Sequence, residues 1–554
     1  MSSKEDPQSE DEACFGCSGP EEDEICPPGV NYYSFYQPVP DSPRQVSKLF
    51  GHRSGCSDVI EAEIMRTPAP AEEVEQPLAK RARLKSFDLV NAYIKRIEEV
   101  NHLINAVAYK NYDNARRQAK GVDEKIKTMN DEQLAKFAER KFLLGVPFSV
   151  KASIKVKGMP VSSGVYARRN SEANETADII ARMEHYGGIL LAVGTVSEYC
   201  TWIESSSKLF GMTKNPFDIR KTAGGCSGGD AALLGAGAAL ISVASDFAGS
   251  ARQPAFFNGV FALLPTPGLI PNHGHFPKID GEKSYKSIMG RMTPMCRYAE
   301  DLVLMIEVMS RTELHKEIPE KPMLFFYTGI KEYLFMEPVN TKCLDSMFQA
   351  VRFYEELSDQ KAEEVSFRLS KYLFEYMLIS IRQHVYEPLM ADIMNDSWTN
   401  LDSKDQTNCF QEMIKYVRGK SNHTLAGILY GLTDDSDMFQ PSEKAEMIVY
   451  RDQLKDIVVK RLHPHGLLFF PSFPTQATFH GELIPKRWNM CHTVFANLLG
   501  LPAVQCPMGL DEEGLPLGVM VMGPPNSETH LIDVAKRLSR KFGGWAPPGM
   551  VGSL

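Results

Sequence analysis

From Ser86 to about residue 541 the chain alternates short apolar runs rich in β-formers with longer stretches of helical period. Ser86 precedes Leu89, Val90, Tyr93, Ile94 and Ile97, a spacing that predicts a capped helix ending near Asn101. A polar helix is expected over 112–128, then a strand through Phe142–Val150 that delivers Lys151. Helices are expected over 176–186, 230–240, 299–310, within 338–357 and 369–395, and over 488–499 and 527–541. Strands are expected at 189–193, 240–245, 323–327, 467–470, 503–508 and 517–522. There is no internal repeat, and no linker splits the body. This pattern predicts an α/β fold, one large domain around a mixed sheet.

Residues 1–60 read differently. They are acidic at first, then punctuated by Pro, Ser and Gly, which predicts a disordered tail ahead of a domain over 61–549. Residues 1–30 hold nine carboxylates against the single base Lys4, so most of the formal charge of −9 belongs to the tail. The body is near neutral, which removes the electrostatic footprint of a nucleic-acid binder. No run reaches the roughly 20 apolar residues of a membrane-spanning helix, and the N-terminus lacks the pattern of a secretory signal. Eleven scattered cysteines fit a reduced compartment, so the expected address is cytoplasmic. Cys14-x-x-Cys17 has no second well-spaced pair, and no metal or cofactor is expected. Lys80–Lys85 reads as a solvated charge run at a helix entrance.

The chemistry concentrates in Thr222-Ala-Gly-Gly-Cys-Ser-Gly-Gly-Asp230 and Ser245-Asp-Phe-Ala-Gly-Ser-Ala-Arg-Gln-Pro254. Glycines around Cys226 and Ser227 let the backbone turn tightly and approach a ligand. Consecutive N–H groups at Phe247, Ala248, Gly249 and Ser250 are raw material for an oxyanion hole. Gly225-x-Ser227-x-Gly229 matches the nucleophile elbow of α/β-hydrolases formally, yet the residues before it are polar rather than strand-like. A phosphate loop would need Gly-Lys-Ser/Thr where Gly229-Asp230 stands. A packing turn and a serine hydrolase without histidine stay open on the residues alone.

Dispersed segments decide between these. Gly158–Gly164, Glu204-Ser-Ser, the Gly/Ser centre, Pro254–Val260, Pro294–Leu302, Gly500–Pro507, Gly514–Gly518 and Phe542–Trp545, taken in order, resemble the amidase signature family, and within it the fatty-amide branch. The resemblance implies an α/β/α domain on a mixed, twisted sheet covered by helices on both faces. It implies hydrolysis of a small-molecule amide or ester, with a fatty acyl group expected from the branch. It makes Lys151 the general base and Ser250 the nucleophile. Between them the family places a serine, and here that position is Cys226, 24 residues before Ser250, with Ser227 following. Phe247, Ala248, Gly249 and Ser250 would hold the oxyanion.

A serine hydroxyl relays a proton because it donates and accepts well and stays un-ionised; a thiol is a weak hydrogen-bonder with a pKa of about 8.5. Beside a lysine it can settle as a thiolate–ammonium pair, which leaves the base already protonated. Ala152 stands where the family is usually acidic, Ala248 where it usually has glycine, and Ser207 where it usually has asparagine. If residue 248 needs positive φ, the alanine strains the loop. Two functions follow: a hydrolase with a weakened relay, or a catalytically silent fold that binds a lipid or protein partner. Cys226 acting as the nucleophile itself is a minor third. Relatives in the branch carry an N-terminal membrane segment where this chain has its acidic tail. Peripheral membrane contact, with Tyr372–Met394 as one candidate surface, and a homodimer are therefore partners left open. His273-Gly-His275 reads as a surface turn, and Glu198 and Glu204 as structural.

Overall fold

The computed structural model describes residues 85–279, 285–314, 318–329, 336–365, 409–434 and 440–549. The acidic tail, its cysteines, the 80–84 part of the basic run, the expected helices within 369–395 and the Tyr372–Met394 surface lie outside these residues.

Among the described residues, eleven strands form one sheet, and two more form a small hairpin. In chain order they are β1 (Val107–Lys110), β2 (Pro147–Lys151), β3 (Ile189–Gly194), the hairpin β4 (Ser206–Ser207) and β5 (Gly211–Met212), and β6 (Ile241–Asp246). Then come β7 (Phe261–Leu264), β8 (Arg291–Cys296), β9 (Leu324–Phe326), β10 (Glu363–Glu364), β11 (Leu467–Phe470), β12 (Ala503–Leu510) and β13 (Pro516–Met522). Their order across the sheet is β1-β3-β2-β6-β8-β7-β12-β13-β11-β9-β10. The sheet is mixed. β3, β2 and β6 run parallel, the pairs from β6 through β8, β7, β12 and β13 to β11 are antiparallel, and β11, β9 and β10 are parallel again.

Strand side chains alternate between two cores, as a period of two requires. Leu467, Phe469, Val519 and Val521 enter one core; Leu468, Phe470, Met520 and Met522 enter the other. The first core is closed by the helices Asp301–Ser310, Thr341–Ser358 and Glu528–Phe542, the second by Pro441–Leu462 and Cys491–Leu498. Sheet strands buried on both faces read as continuous apolar runs, which is why Leu467–Phe470 was visible in the sequence.

Some elements depart from expectation. The helix expected over 230–240 is Gly228–Gly235, and it stops ahead of Gly237, which takes φ of 68°. The helix expected over 488–499 begins as a 3₁₀ turn, Arg487–Met490, before Cys491–Leu498. Strands β1, β7, β8 and β10 and the long helix Pro441–Leu462 were not foreseen.

Candidate active site

Two adjacent parallel strands bring the reactive groups together. β2 ends on Lys151, and β6, paired with it at Ser149↔Ser242 and Val150↔Val243, runs to Ser245 and Asp246 before a loop through Phe247–Ser250. The Gly/Ser segment passes beside both strands and enters α1 (Gly228–Gly235), while α2 (Arg252–Phe257) leaves the loop. Close approach demands small residues here: a Cβ on Gly229 would lie 2.2 Å from the Thr195 nitrogen.

Lys151 is fully buried, and each of three protons of its Nζ has an acceptor. It donates to Cys226 Sγ at 2.9 Å, to Ser245 Oγ at 2.9 Å and to the Ser245 carbonyl at 3.1 Å. Three donations describe an ammonium. Burial opposes that charge, but the adjacent Cys226 sulfur outweighs it and holds the Lys151 pKa above its ordinary value. The thiol answers in the opposite sense. Burial pushes it up, yet hydrogen bonds from Cys200 and Ser250 and the charge of Lys151 bring Cys226 down to about 6. Both shifts favour a thiolate beside an ammonium. The Cys200 thiol is pushed well up, first by its hydrogen bond to Cys226, and remains the protonated donor.

A polar relay extends behind the lysine. Ser245 Oγ and Ser153 Oγ both lie within hydrogen-bond reach of His275 Nε2, at 2.8 and 3.0 Å, and His275 Nδ1 donates to the Pro277 carbonyl at 2.6 Å. Burial, seconded by the charge on Lys151, holds His275 down to about 3, so the ring is neutral. This corrects the surface-turn expectation for half of His273-Gly-His275. His273 is exposed and meets Asp178 at 3.1 Å, whereas a β-bridge to Ile154 draws His275 inward.

The other expected residues lie close by. Ser250 Oγ donates to the Ser245 carbonyl at 2.9 Å and lines the same cleft as Cys226. Ser227 Oγ donates to the same carbonyl at 3.3 Å, and its N–H to the Ser250 carbonyl at 3.0 Å. Of the four N–H groups expected to hold an oxyanion, that of Gly249 donates to Asp246 Oδ1 at 2.8 Å and that of Phe247 to Ser250 Oγ at 3.3 Å. Those of Ala248 and Ser250 have no acceptor among the described residues. The left-handed residue of the loop is Gly249, with φ of 97°, and not Ala248. The strain anticipated for alanine at 248 therefore does not arise. At Gly249 a Cβ would fall 2.1 Å from that of Thr493. Gly249→Ala is expected to cost about 1–3 kcal/mol of stability, measured as a lowered urea midpoint; an unchanged midpoint would show that the loop relaxes freely.

Glu198 and Glu204 bind neighbouring loops. Glu198 accepts from the Thr424 N–H and hydroxyl at 2.8 Å and from His423 Nδ1 at 2.6 Å. Glu204, raised to about 7 chiefly by burial, accepts from the Gly481 N–H. Missing from the sequence reading were the roles of Cys200 and Ser245, and His275 was read as part of a surface turn. Ser245 sits five residues before Ser250 and was within reach of the strand-to-loop pattern; Cys200 and His275 come from distant loops with no spacing to announce them.

The site opens into a cleft whose walls include Trp202, Ile203, Phe247, Ile279, Phe473 and Met490. A mixed sheet between two helical layers thus brings Lys151, Cys226 and Ser250 together beside a row of backbone amides. The chain belongs to the amidase family, whose model matches residues 88–532. It is 33% identical over 483 residues to fatty-acid amide hydrolase 2 of Homo sapiens, covering 85% of this chain and 89% of that one. It is 34% identical over 488 residues to fatty-acid amide hydrolase 2-A of Danio rerio, covering 85% and 88%. Among solved structures, a bacterial aryl acylamidase of the amidase signature enzymes superposes with a TM-score of 0.68 at 20% identity, over 84% of this chain and 94% of that one.

Proposed function

We propose that this chain hydrolyses lipid-like amides or esters through an acyl-enzyme on Ser250, with the proton relay carried by a Cys226 thiolate. The observation that carries this is the shared cleft of three groups: Lys151 Nζ lies 2.9 Å from Cys226 Sγ, and both line the pocket with Ser250, whose hydroxyl donates to the Ser245 carbonyl that Lys151 also reaches. Lys151 enters the cycle as an ammonium that holds the thiolate in place. The thiolate takes the Ser250 proton as the hydroxyl oxygen attacks the carbonyl carbon. The Ala248 and Ser250 N–H groups, joined by Phe247 once Ser250 Oγ leaves its amide, receive the developing oxyanion. The Cys226 thiol then protonates the leaving amine, and the regenerated thiolate activates water for deacylation. The apolar walls of the cleft and the named relatives support a fatty acyl substrate.

A thiolate with a pKa of about 6 is a weaker base than a neutral lysine, so the relay runs slowly. A fluorophosphonate probe is expected to label Ser250, and the labelling rate should climb with pH through about 6 and level off above it. Cys226→Ser should change that profile and raise turnover of a long-chain primary amide by roughly tenfold or more, as expected for repair of an acid–base group. Superimposable pH profiles for the two proteins would remove Cys226 from the relay. One observation favours a second reading, a silent binder: the lysine's three protons are all engaged, so no neutral amine is ready. In that case folded wild type fails to label and Cys226→Ser labels.

A further inference from the structure

The thiol of Cys200 takes no proton in the mechanism above, yet the segment that follows it packs on the Cys226 turn: Ser205 Oγ donates to the Cys226 carbonyl at 3.0 Å, and the Trp202 carbonyl lies against Gly225. Cys200 and Cys226 line the same open cleft, and neither is in a disulfide. Cys200 is only partly buried, and it sits in a turn where it and Tyr199 take φ of 58° and 55°. Two thiols lining one cleft, one of them 2.9 Å from the Lys151 amine, form a dithiol rather than two inert core cysteines.

We propose that Cys226 and Cys200 form a peroxide-sensitive dithiol, Cys226 reacting first and Cys200 resolving it as a disulfide that switches the site off. The Cys226 thiolate attacks one oxygen of a hydroperoxide and the O–O bond breaks. Sulfur is oxidised to the sulfenic acid, the peroxide is reduced, and the departing hydroxide takes a proton from the Lys151 ammonium. The Cys200 sulfur then attacks the Cys226 sulfur. The S–O bond breaks, and the leaving hydroxide departs as water with the Cys200 proton. With hydrogen peroxide the balance is a thiolate, a thiol and an ammonium going to a disulfide, a neutral lysine and two waters. A low-pKa thiolate beside a cation and next to a resolving thiol is the arrangement such chemistry requires. The disulfide removes the thiolate that serves as base in the proposed relay, and thiol reductants restore it. The inhibitory consequence rests on the proposed relay; the chemistry of the pair does not.

The test uses the full-length reduced protein, hydrogen peroxide at a few equivalents, and non-reducing tryptic mass spectrometry. Cleavage after Arg182, Lys208, Lys221 and Arg252 places Cys200 in peptide 183–208 and Cys226 in peptide 222–252, each as the sole cysteine. The expected result is the two peptides joined, with Ser250 labelling reduced by about 10²-fold and recovered with dithiothreitol. In Cys200→Ser the sulfenic acid has no partner, so peroxide should carry Cys226 on to the sulfinic acid, and dithiothreitol should no longer rescue labelling. Peptides that stay unlinked while Cys226 alone is oxidised would overturn the proposal. Joined peptides in a protein that never labels at Ser250 would support the dithiol and sink the hydrolytic reading instead.

Discussion

Replacing Lys151 by alanine is expected to lower Ser250 labelling and amide turnover by 10²–10⁴-fold, the range for losing a positioned acid–base group. The cause is electrostatic. Cys226 is 2% exposed, and burial alone favours its neutral thiol. Only the ammonium 2.9 Å away and the donors around the sulfur keep the charge there. Without the cation the thiol regains its proton, its pKa rises, and the acid limb of the labelling profile moves upward from about 6. Alkylation of Cys226 by iodoacetamide at neutral pH should slow in parallel, because the thiolate is the reacting form. Lys151→Met fills the same space without charge and separates loss of the cation from loss of packing. If either variant labelled at the wild-type rate with the wild-type profile, the lysine would not be what holds the thiolate.

The architecture was legible because both faces of the sheet are covered. Strands buried on two sides must be apolar throughout, so Ile189–Gly194, Leu467–Phe470 and Pro516–Met522 stand out from the amphipathic helices between them. Those that escaped notice carry mixed signals. Arg291–Cys296 begins with a buried arginine whose guanidinium caps the Pro265 and Leu501 carbonyls at 2.7 and 2.8 Å, and it contains Pro294, so it reads as a loop. Pro441–Leu462 has a proline and a capping box at its start, but its apolar residues surround it: Leu454, Val458 and Leu462 are buried, while Val449 and Ile457 are more than half exposed. No single stripe marks it as a helix against a core.

Legibility of the site followed a different rule. Lys151, Cys226 and Ser250 lie at strand ends and turns, where motif and resemblance point to them. The ionisation of the cluster depends on contacts that cross the chain. Ser245 Oγ joins Lys151 to His275, and Cys200 lines the same cleft as Cys226; no spacing in the sequence records either. The sequence did expose the chemical conflict of a thiol beside a lysine. What the fold adds is its resolution, since a lysine with three acceptors and a histidine held neutral leave the ammonium as the one cation in the cluster.

The loop that presents Ser250 depends on one buried carboxylate. Asp246 ends β6, and its two oxygens accept from the N–H groups of Gly249, Ala251 and Arg252 at 2.8, 3.2 and 3.2 Å, from Arg252 Nε and Nη2 at 3.0 and 3.1 Å, and from Asn497 Nδ2 at 3.0 Å. Burial pushes the carboxyl up, but the Arg252 guanidinium and these donors outweigh it and hold Asp246 down to about 2. A depressed pKa adds stability that is present above the unfolded value of about 3.9 and is lost as pH falls through about 2. Asp246→Ala is expected to cost about 3–5 kcal/mol, because it strands a fully buried guanidinium. Equilibrium urea unfolding followed by tryptophan fluorescence should show the lower midpoint, and Ser250 labelling should fall with it as the loop loses its anchor. Adding Arg252→Met removes the stranded cation, so the double variant should be more stable than Asp246→Ala alone while still failing to label. A single variant within 1 kcal/mol of wild type, or a double variant no better than the single, would mean that packing around α2 rather than the ion pair secures the loop.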